Sequence, residues 1–469
     1  MDNPYGGDHF PVYLAPLEVL PRLPCCPPRW KTSLADWELF KSNIPSSLDL
    51  SQAASVDDGN ALITTTILEA ARSSIPQTSG NLPRRPKPWW DDECRESRKR
   101  QNCSWGRFRR YPASRNLLAF KQLRAKARYI RKQAKKRSFC SYASSINSST
   151  PAKIVWDRVG RMDGDYRPFS IPLLLSENGE AFSSLYEQAN ALGRHFAQVS
   201  SSENYTPEFL RFKSKCERTP IRRSDDCTEE YNRPFSLVEL RRALAAAKPT
   251  SPGPDAIHPT MLSHLPETFL VILLQFFNII WAKGKFPSTW KQAVVVPILK
   301  QGKDRSKATS YRPIALTSCR GKTFERLVNN RLIYVLEREK LLSNFQCGFR
   351  TSRSTVDHLV RLETTVREAF INRQFCLSVF FDLEKAYDTA WRYGILQDLI
   401  SMGIKGRMFN CIADFLQDRS FQVRLGATIS DPFPQEYGVP QGCVLSVTLF
   451  IIKIMSLSQV IPPMLSLSL

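Results

Sequence analysis

The sequence predicts a mixed α+β fold, and three observations carry that reading. Two apolar, β-rich runs, Ala293–Leu299 and Leu377–Phe381, have the length and residue types of buried strands. Around them apolar residues return every three or four positions, as in Phe324, Leu327, Val328 and Leu332, which is the period of a helix packed on one face. The chain has 469 residues, 42% of them hydrophobic, enough for roughly two to four domains with a sizeable core.

Composition narrows the partners. The 66 Lys and Arg against 44 Asp and Glu leave a net charge of +22, which calls for a polyanion. Nucleic acid is favoured over an anionic membrane, because no basic stretch leads into a spanning segment. The apolar run Thr268–Trp281 is too short to cross a bilayer and is interrupted by Gln275 and Asn278, so it reads as a buried helix and no membrane partner is expected. The 12 cysteines are scattered with no C-x-x-C pair, which fits reduced thiols rather than a disulfide framework or a zinc ribbon. The opening residues Met-Asp-Asn-Pro-Tyr carry no signal peptide, so an intracellular location, nuclear or cytoplasmic and not secreted, is expected.

Taken in order, residues 14–90 are rich in Pro and Ser and read as a linker with two short helices. One lies around Ser33–Ser42, with Trp37 and Phe40 on its docking face. The other lies around Ala61–Ser73, with Ile63, Ile67 and Ala71. The prolines of Asn81–Pro88 form a hinge. Between Arg84 and Arg137, 20 Lys and Arg stand against 4 acidic residues. From about Arg115 the stripe Phe120, Leu123, Ala127, Ile130 and Ala134 marks the apolar face of a helix. Arg124, Arg128, Arg131, Lys132, Lys135 and Lys136 occupy its other faces and are candidates to lie along phosphates. Trp105, Phe108 and Tyr111 either stack on bases or pack among themselves. Residues 156–161 read as a helix end, 182–199 as a helix carrying His195, and 203–232 as a polar loop.

A Ser236-x-x-Glu239 capping box opens a helix that three prolines and Gly253 stop between Lys248 and Ile257. The strand Ala293–Leu299 ends on Lys300, a loop runs from Gln301 to Ser310, and Tyr311–Leu316 follows. Gly321-Lys-Thr323 is no P-loop, since Leu316 stands where the first glycine is required. A helix covers Lys322–Leu336, another starts near Arg353, and a third runs over Val444–Ile454. The run Leu377–Phe381 ends abruptly on Asp382. A carboxylate at the end of an apolar strand is costly unless paired, and a divalent cation is its natural partner.

Phe381-Asp-Leu-Glu-Lys-Ala-Tyr-Asp388 resembles the first metal-binding motif of non-LTR (LINE-type) retrotransposon reverse transcriptases. Gly438-Val-Pro-Gln-Gly-Cys-Val-Leu-Ser446 resembles the second palm motif of the same family. Lys248–Ile257 is similar to its Lys-x-x-Ser-Pro-Gly-Pro-Asp-Gly block, with Ala256 in place of the last glycine, and Asn344–Arg350 to its template-contacting block. Gly6-Gly-Asp-His-Phe-Pro-Val12 resembles the closing block of the apurinic-type endonuclease fused ahead of these enzymes. There the resemblance maps the active His and its orienting Asp onto His9 and Asp8, expected to be inert because the rest of that domain precedes Met1.

The resemblance implies fingers and a palm with an antiparallel sheet backed by helices, working with template RNA, a DNA primer or target, and dNTPs. It further implies Mg²⁺ or Mn²⁺ as cofactor. Two ions about 3.5–4 Å apart would stabilise the attacking and leaving oxygens of an in-line displacement. Asp382 would bridge both and the carbonyl of Leu383 would bind one. Lys300 or Lys303, together with Arg312, would grip the triphosphate, and so would backbone amides near Lys385 and Ala386. Tyr387 would exclude a ribose 2′-hydroxyl, Gln441 and Gly442 would meet the nucleotide, and Asp388 would be structural. The family's Tyr-x-Asp-Asp hairpin and thumb are not found, so a fragment with little or no activity of its own is expected. The domain reading is an endonuclease remnant over 1–13, a linker over 14–90, a basic helical connector over 91–232 and a partial reverse transcriptase over 233–469. The rival reading is a non-catalytic RNA- or DNA-binding protein acting through the connector.

Overall fold

The computed structural model describes residues 28–456 apart from 51–52, 79–86, 148–149, most of 151–183, 222–225 and 384. The chain divides into two compact units. One comprises Met1–Gly80 with Pro172–Leu469, the other Asn81–Ile171.

In the larger unit a small sheet is built from β1 (Gln292–Leu299), β2 (Tyr311–Leu316), β3 (Ser420–Leu425), β4 (Thr428–Ile429) and β5 (Phe433–Pro434). The order is β2-β1-β3-β4, with β5 against β3. β1 and β2 are antiparallel, Val295 facing Ala315 and Leu299 facing Tyr311, as the two predicted runs and the short loop between them suggest. β1 and β3 are parallel, so the sheet is mixed rather than the wholly antiparallel one expected. The cause is connectivity: the chain between them crosses over through several helices, which is how parallel neighbours are joined. The β1–β3 register stops at Val295, two residues short of Pro297, so that proline's missing N–H costs this ladder nothing.

The second predicted strand does not form. Residues 377–381 belong to no strand, and Leu377, Phe380 and Phe381 are 91%, 83% and 87% exposed. Strand propensity alone cannot satisfy a backbone, and among the described residues no neighbouring strand pairs with this run.

Helices supply most of the core. α1 (Trp37–Asn43) and α2 (Val56–Ser74) come first, α2 opening on a capping box of Ser55 and Asp58. Rather than lying in a linker, both pack into the main core. Phe40, Ile63, Ile67 and Ala71 join Phe269, Leu273, Phe276 and Phe324 in one buried cluster. The predicted faces thus found their partner, and polar contacts fix them there. Asn60 Nδ2 donates to Thr289 Oγ1 at 2.9 Å, the backbone N–H of Ser288 donates to Asp57 at 2.7 Å, and the Trp37 ring stacks on His264 at 3.9 Å.

In the smaller unit α3 (Asp92–Arg110) and α4 (Ser114–Ser144) form an antiparallel hairpin. Trp105 meets Phe120 at 4.9 Å near the turn, while Arg137 pairs with Asp91 and Glu93 at the other end. Ala127 and Ala134, both from the predicted stripe, are the buried residues of α4.

Downstream, α5 (Leu185–Val199) lays Ala189, Leu192 and Phe196 on the sheet against Val295, Phe421 and Val423, forming a second core. Thr206 caps α6 (Pro207–Glu217), a helix where a loop was expected. Its Phe209 and Phe212 contact Trp391 at 5.4 and 5.9 Å, so tertiary packing overrides a polar composition. Then come α7 (Leu237–Ala245), α8 (Pro259–Ser263), α9 (Glu267–Lys283) and α10 (Cys319–Arg338). α9 is the expected buried helix, closed by Gly284 in the left-handed conformation. Among the described residues no helix is long and apolar enough to cross a membrane. α11 (Thr355–Ile371) buries none of its residues. α12 (Arg392–Ser401), α13 (Gly406–Leu416) and α14 (Leu445–Met455) complete the larger unit.

Candidate nucleotide site

The two recognised motifs meet backbone to backbone. After Lys385, whose φ of 55° turns the chain, the N–H groups of Asp388 and Thr389 both donate to the Lys385 carbonyl, at 2.9 and 3.1 Å. The same turn then holds the Gly/Pro loop. Val439 N–H donates to the Tyr387 carbonyl at 2.7 Å and Gly438 N–H to that of Ala390 at 2.9 Å, while Arg392 Nε donates to the Gly438 carbonyl at 2.8 Å. Gly438 is required at this point, since its φ is 76° and a Cβ would run into the Asp388 carbonyl oxygen.

Gln441 stands where three elements converge. Its carbonyl accepts from Ala315 N–H of β2 at 2.9 Å, and its side-chain Nε2 donates to Asp388 Oδ2 at 3.3 Å. Gly442, at φ 123°, lets the chain pass close to Ala315. Beyond it, Glu325 of α10 reaches the start of α14, accepting from Val444 N–H at 2.6 Å and Leu445 N–H at 3.3 Å. A carboxylate on the orphan amides of a helix start is well matched electrostatically, though full burial pushes the Glu325 carboxyl up. Sequence reading missed this residue; as a Glu inside an amphipathic helix it carried no local signal.

Asp388, read from the sequence as structural, is half-buried and accepts from Gln441. Burial raises its carboxyl to about 6, and the nearby charges of Lys300 and Lys385 pull it partly back. Burial, with the same two cations, holds His195 below its ordinary range. A cavity of about 40 Å³, lined among others by Val295, Pro313, Ala315, Asp388 and Gln441, lies at this junction. It has room for ordered water.

The remaining candidates divide. Lys300 sits at the end of β1, its Nζ donating to the Thr309 carbonyl at 2.9 Å, while Lys303 and Arg312 are exposed. The Tyr387 ring stacks on Phe450 of α14 at 4.8 Å, and burial raises its hydroxyl pKa. Ala386 is half-buried beside it. Cys443 is buried and its thiol is pushed up to about 12, which makes it inert. Asp382 and Leu383 lie on the exposed 377–383 stretch. Among the described residues no group of three or more His, Cys, Asp or Glu could hold a metal ion, so the expected two-metal site is not assembled around Asp382. A lone exposed carboxylate lacks the converging donors that Mg²⁺ or Mn²⁺ requires. In the hairpin, Arg124, Arg128, Lys132, Lys135 and Lys136 are exposed. Arg131 is half-buried and donates Nε to the Ala127 carbonyl at 2.9 Å. Asp8 and His9 lie outside the described residues.

Residues 298–466 match the family described as reverse transcriptase (RNA-dependent DNA polymerase). Over 294 residues the chain is 31% identical to the probable RNA-directed DNA polymerase from transposon BS of Drosophila melanogaster, covering 61% of this chain and 31% of that protein. Over 269 residues it is 31% identical to the RNA-directed DNA polymerase from mobile element jockey of the same organism, covering 56% and 28%. A longer and weaker match, 26% over 428 residues, is to the putative 115 kDa protein in type-1 retrotransposable element R1DM, covering 89% and 39%. The chain therefore spans less than half the length of these relatives.

Proposed function

We propose that residues 298–466, which match the reverse transcriptase family, act as a reverse transcriptase domain of the non-LTR retrotransposon kind, and that the chain serves RNA-templated DNA synthesis, joining dNTPs to a primer 3′-hydroxyl. The observation that carries the proposal is the clamp between the Lys385–Ala390 turn and the Gly438–Gln441 loop. It holds Gln441 against β2, on the strand pair whose ends bear Lys300 and Arg312. Arg312 suits bidentate contact with a phosphate, and Lys300 or Lys303 adds a point charge. We assign Tyr387, braced by Phe450, to the sugar. Asp382 is assigned as the catalytic carboxylate. Divalent metal belongs to the chemistry of this family, but the described residues do not converge on one; the clamp and its neighbours bind and position the substrate. An intracellular site of action, nuclear or cytoplasmic, goes with this reading.

Primer extension on an RNA template with Mg²⁺ and dNTPs, comparing the chain with Asp382→Asn, tests it. Extension that vanishes in Asp382→Asn is the expected result for a working domain, and extension that survives the substitution overturns the assignment. Absence of extension in both, with template binding retained, favours the second reading, a nucleic-acid-binding chain acting through the basic hairpin. The exposed position of Asp382 is the observation that keeps that reading in play.

A further inference from the structure

The hairpin carries a face that its fold does not use. Ala127 and Ala134 point at α3, and at 100° per residue Lys121, Arg128, Tyr129, Lys132, Lys136 and Phe139 fall on the opposite side of α4. All six are exposed; Tyr129 and Phe139, at 64% and 51%, set two aromatic rings among the cations. Among the described residues no carboxylate pairs with Lys121, Arg128, Lys132 or Lys136 of this face. No carboxylate occurs in the sequence between Glu96 and Asp157, and the acids at the base of the hairpin are engaged elsewhere. Asp91 and Glu93 pair with Arg137, Asp92 with Arg95 and Glu96 with Arg100. Lys121 to Lys136 spans about 22 Å of rigid helix.

We propose that this outward face of α4 is a platform for single-stranded polynucleotide, with Lys121, Arg128, Lys132 and Lys136 on phosphates and Tyr129 and Phe139 stacking on bases. The proposal rests on the nucleic-acid partner of the functional reading but not on polymerase chemistry. A duplex offers its phosphates and hides its base faces, so it would leave both rings in water. A membrane surface would require a continuous apolar face, whereas the apolar face of α4 is already turned to α3 and the outward face mixes rings with cations. Stacking between phosphate contacts is the arrangement by which single strands are held without sequence preference.

The test uses the full chain and fluorescence anisotropy with labelled single-stranded RNA, single-stranded DNA and duplex DNA of about 20 nucleotides each, over a series of salt concentrations. Tighter binding of either single strand than of the duplex is expected, even though the duplex has the higher charge density. Tyr129→Ala with Phe139→Ala should weaken single-strand binding about tenfold or more and leave the salt slope unchanged. Lys132→Gln with Lys136→Gln should lower the slope of log K against log salt by about 1.4, at roughly 0.7 per phosphate contact. Both pairs are exposed, and helix content by circular dichroism verifies that each variant is folded. Equal or tighter duplex binding overturns the proposal. So does an aromatic pair without effect, or full competition by anionic phosphatidylserine vesicles. The ratio of RNA to DNA affinity identifies which strand the platform takes. Primer extension run in parallel separates the readings: extension lost with binding intact counts against the polymerase reading alone.

Discussion

Asp388 concentrates the tension at the candidate nucleotide site in one side chain. It accepts from Gln441 and feels Lys300 and Lys385, yet burial still raises its carboxyl to about 6. A carboxyl whose folded pKa lies above its unfolded value binds its proton more tightly in the native state. Its contribution is fully favourable below about pH 4 and is lost as pH rises through about 6. Asp388→Asn keeps an acceptor for Gln441 and removes the charge. It should therefore stabilise the chain at pH 8, by roughly 1 kcal/mol once screening of a half-buried group is allowed for, and change little at pH 4. Thermal melts at the two pH values check this. A loss of stability at pH 8 would mean that the two lysines, not burial, dominate the site. Its surroundings could not be read from the local sequence because Lys300 at the end of β1 and Gln441 of the Gly/Pro loop lie far from it along the chain.

At the scale of elements, the docking of α2 carries the clearest expectation. Ile67 lies fully buried in the main core while Leu62 of the same helix is 39% exposed. Ile67→Ala should cost about 2–5 kcal/mol in a urea titration and Leu62→Ala less than about 0.5 kcal/mol. Equal effects would show that α2 is not held as described. Arg320 adds a polar tie. It is fully buried, donates to the Asn60 carbonyl at 3.3 Å and to Thr64 Oγ1, and lies 3.7 Å from Asp255 of the proline-rich block. What was legible at this scale is what local physics determines. The Ser236–Glu239 capping box, the apolar stripe of α4, the apolar run of α9 and the β1–β2 pair each stand where their spacing puts them. The docking faces of α1 and α2 were legible too, but their partners were not, because the residues they meet lie some two hundred positions away. α6 went unread because its stability comes from Phe209 and Phe212 on Trp391 rather than from periodicity. The stretch 377–381 shows the converse, strand-forming residues without a strand beside them.

For the whole molecule the same stretch is a hazard. Phe375 to Leu383 combines high β-propensity, no proline and a single charge, and it is exposed along its length next to α11, which buries none of its residues. Self-association that grows with concentration is expected despite the net charge of +22. Leu377→Lys with Val379→Lys should suppress it, as light scattering during purification would show; undiminished scattering would place the sticky surface elsewhere. A different consequence follows from the way the larger unit is assembled from Met1–Gly80 and Pro172–Leu469, with the hairpin unit interposed in the chain. On the ribosome α2 emerges long before α9 and α10, so it must wait unpartnered while the intervening segment is made. Closing that excursion has an entropic cost that grows only slowly with length: shortening roughly ninety residues to about ten would gain only about 2 kcal/mol. A nick between α3 and α4 would therefore leave two polypeptides that still copurify, held together by the core they share, and the chain could be supplied as halves that find each other.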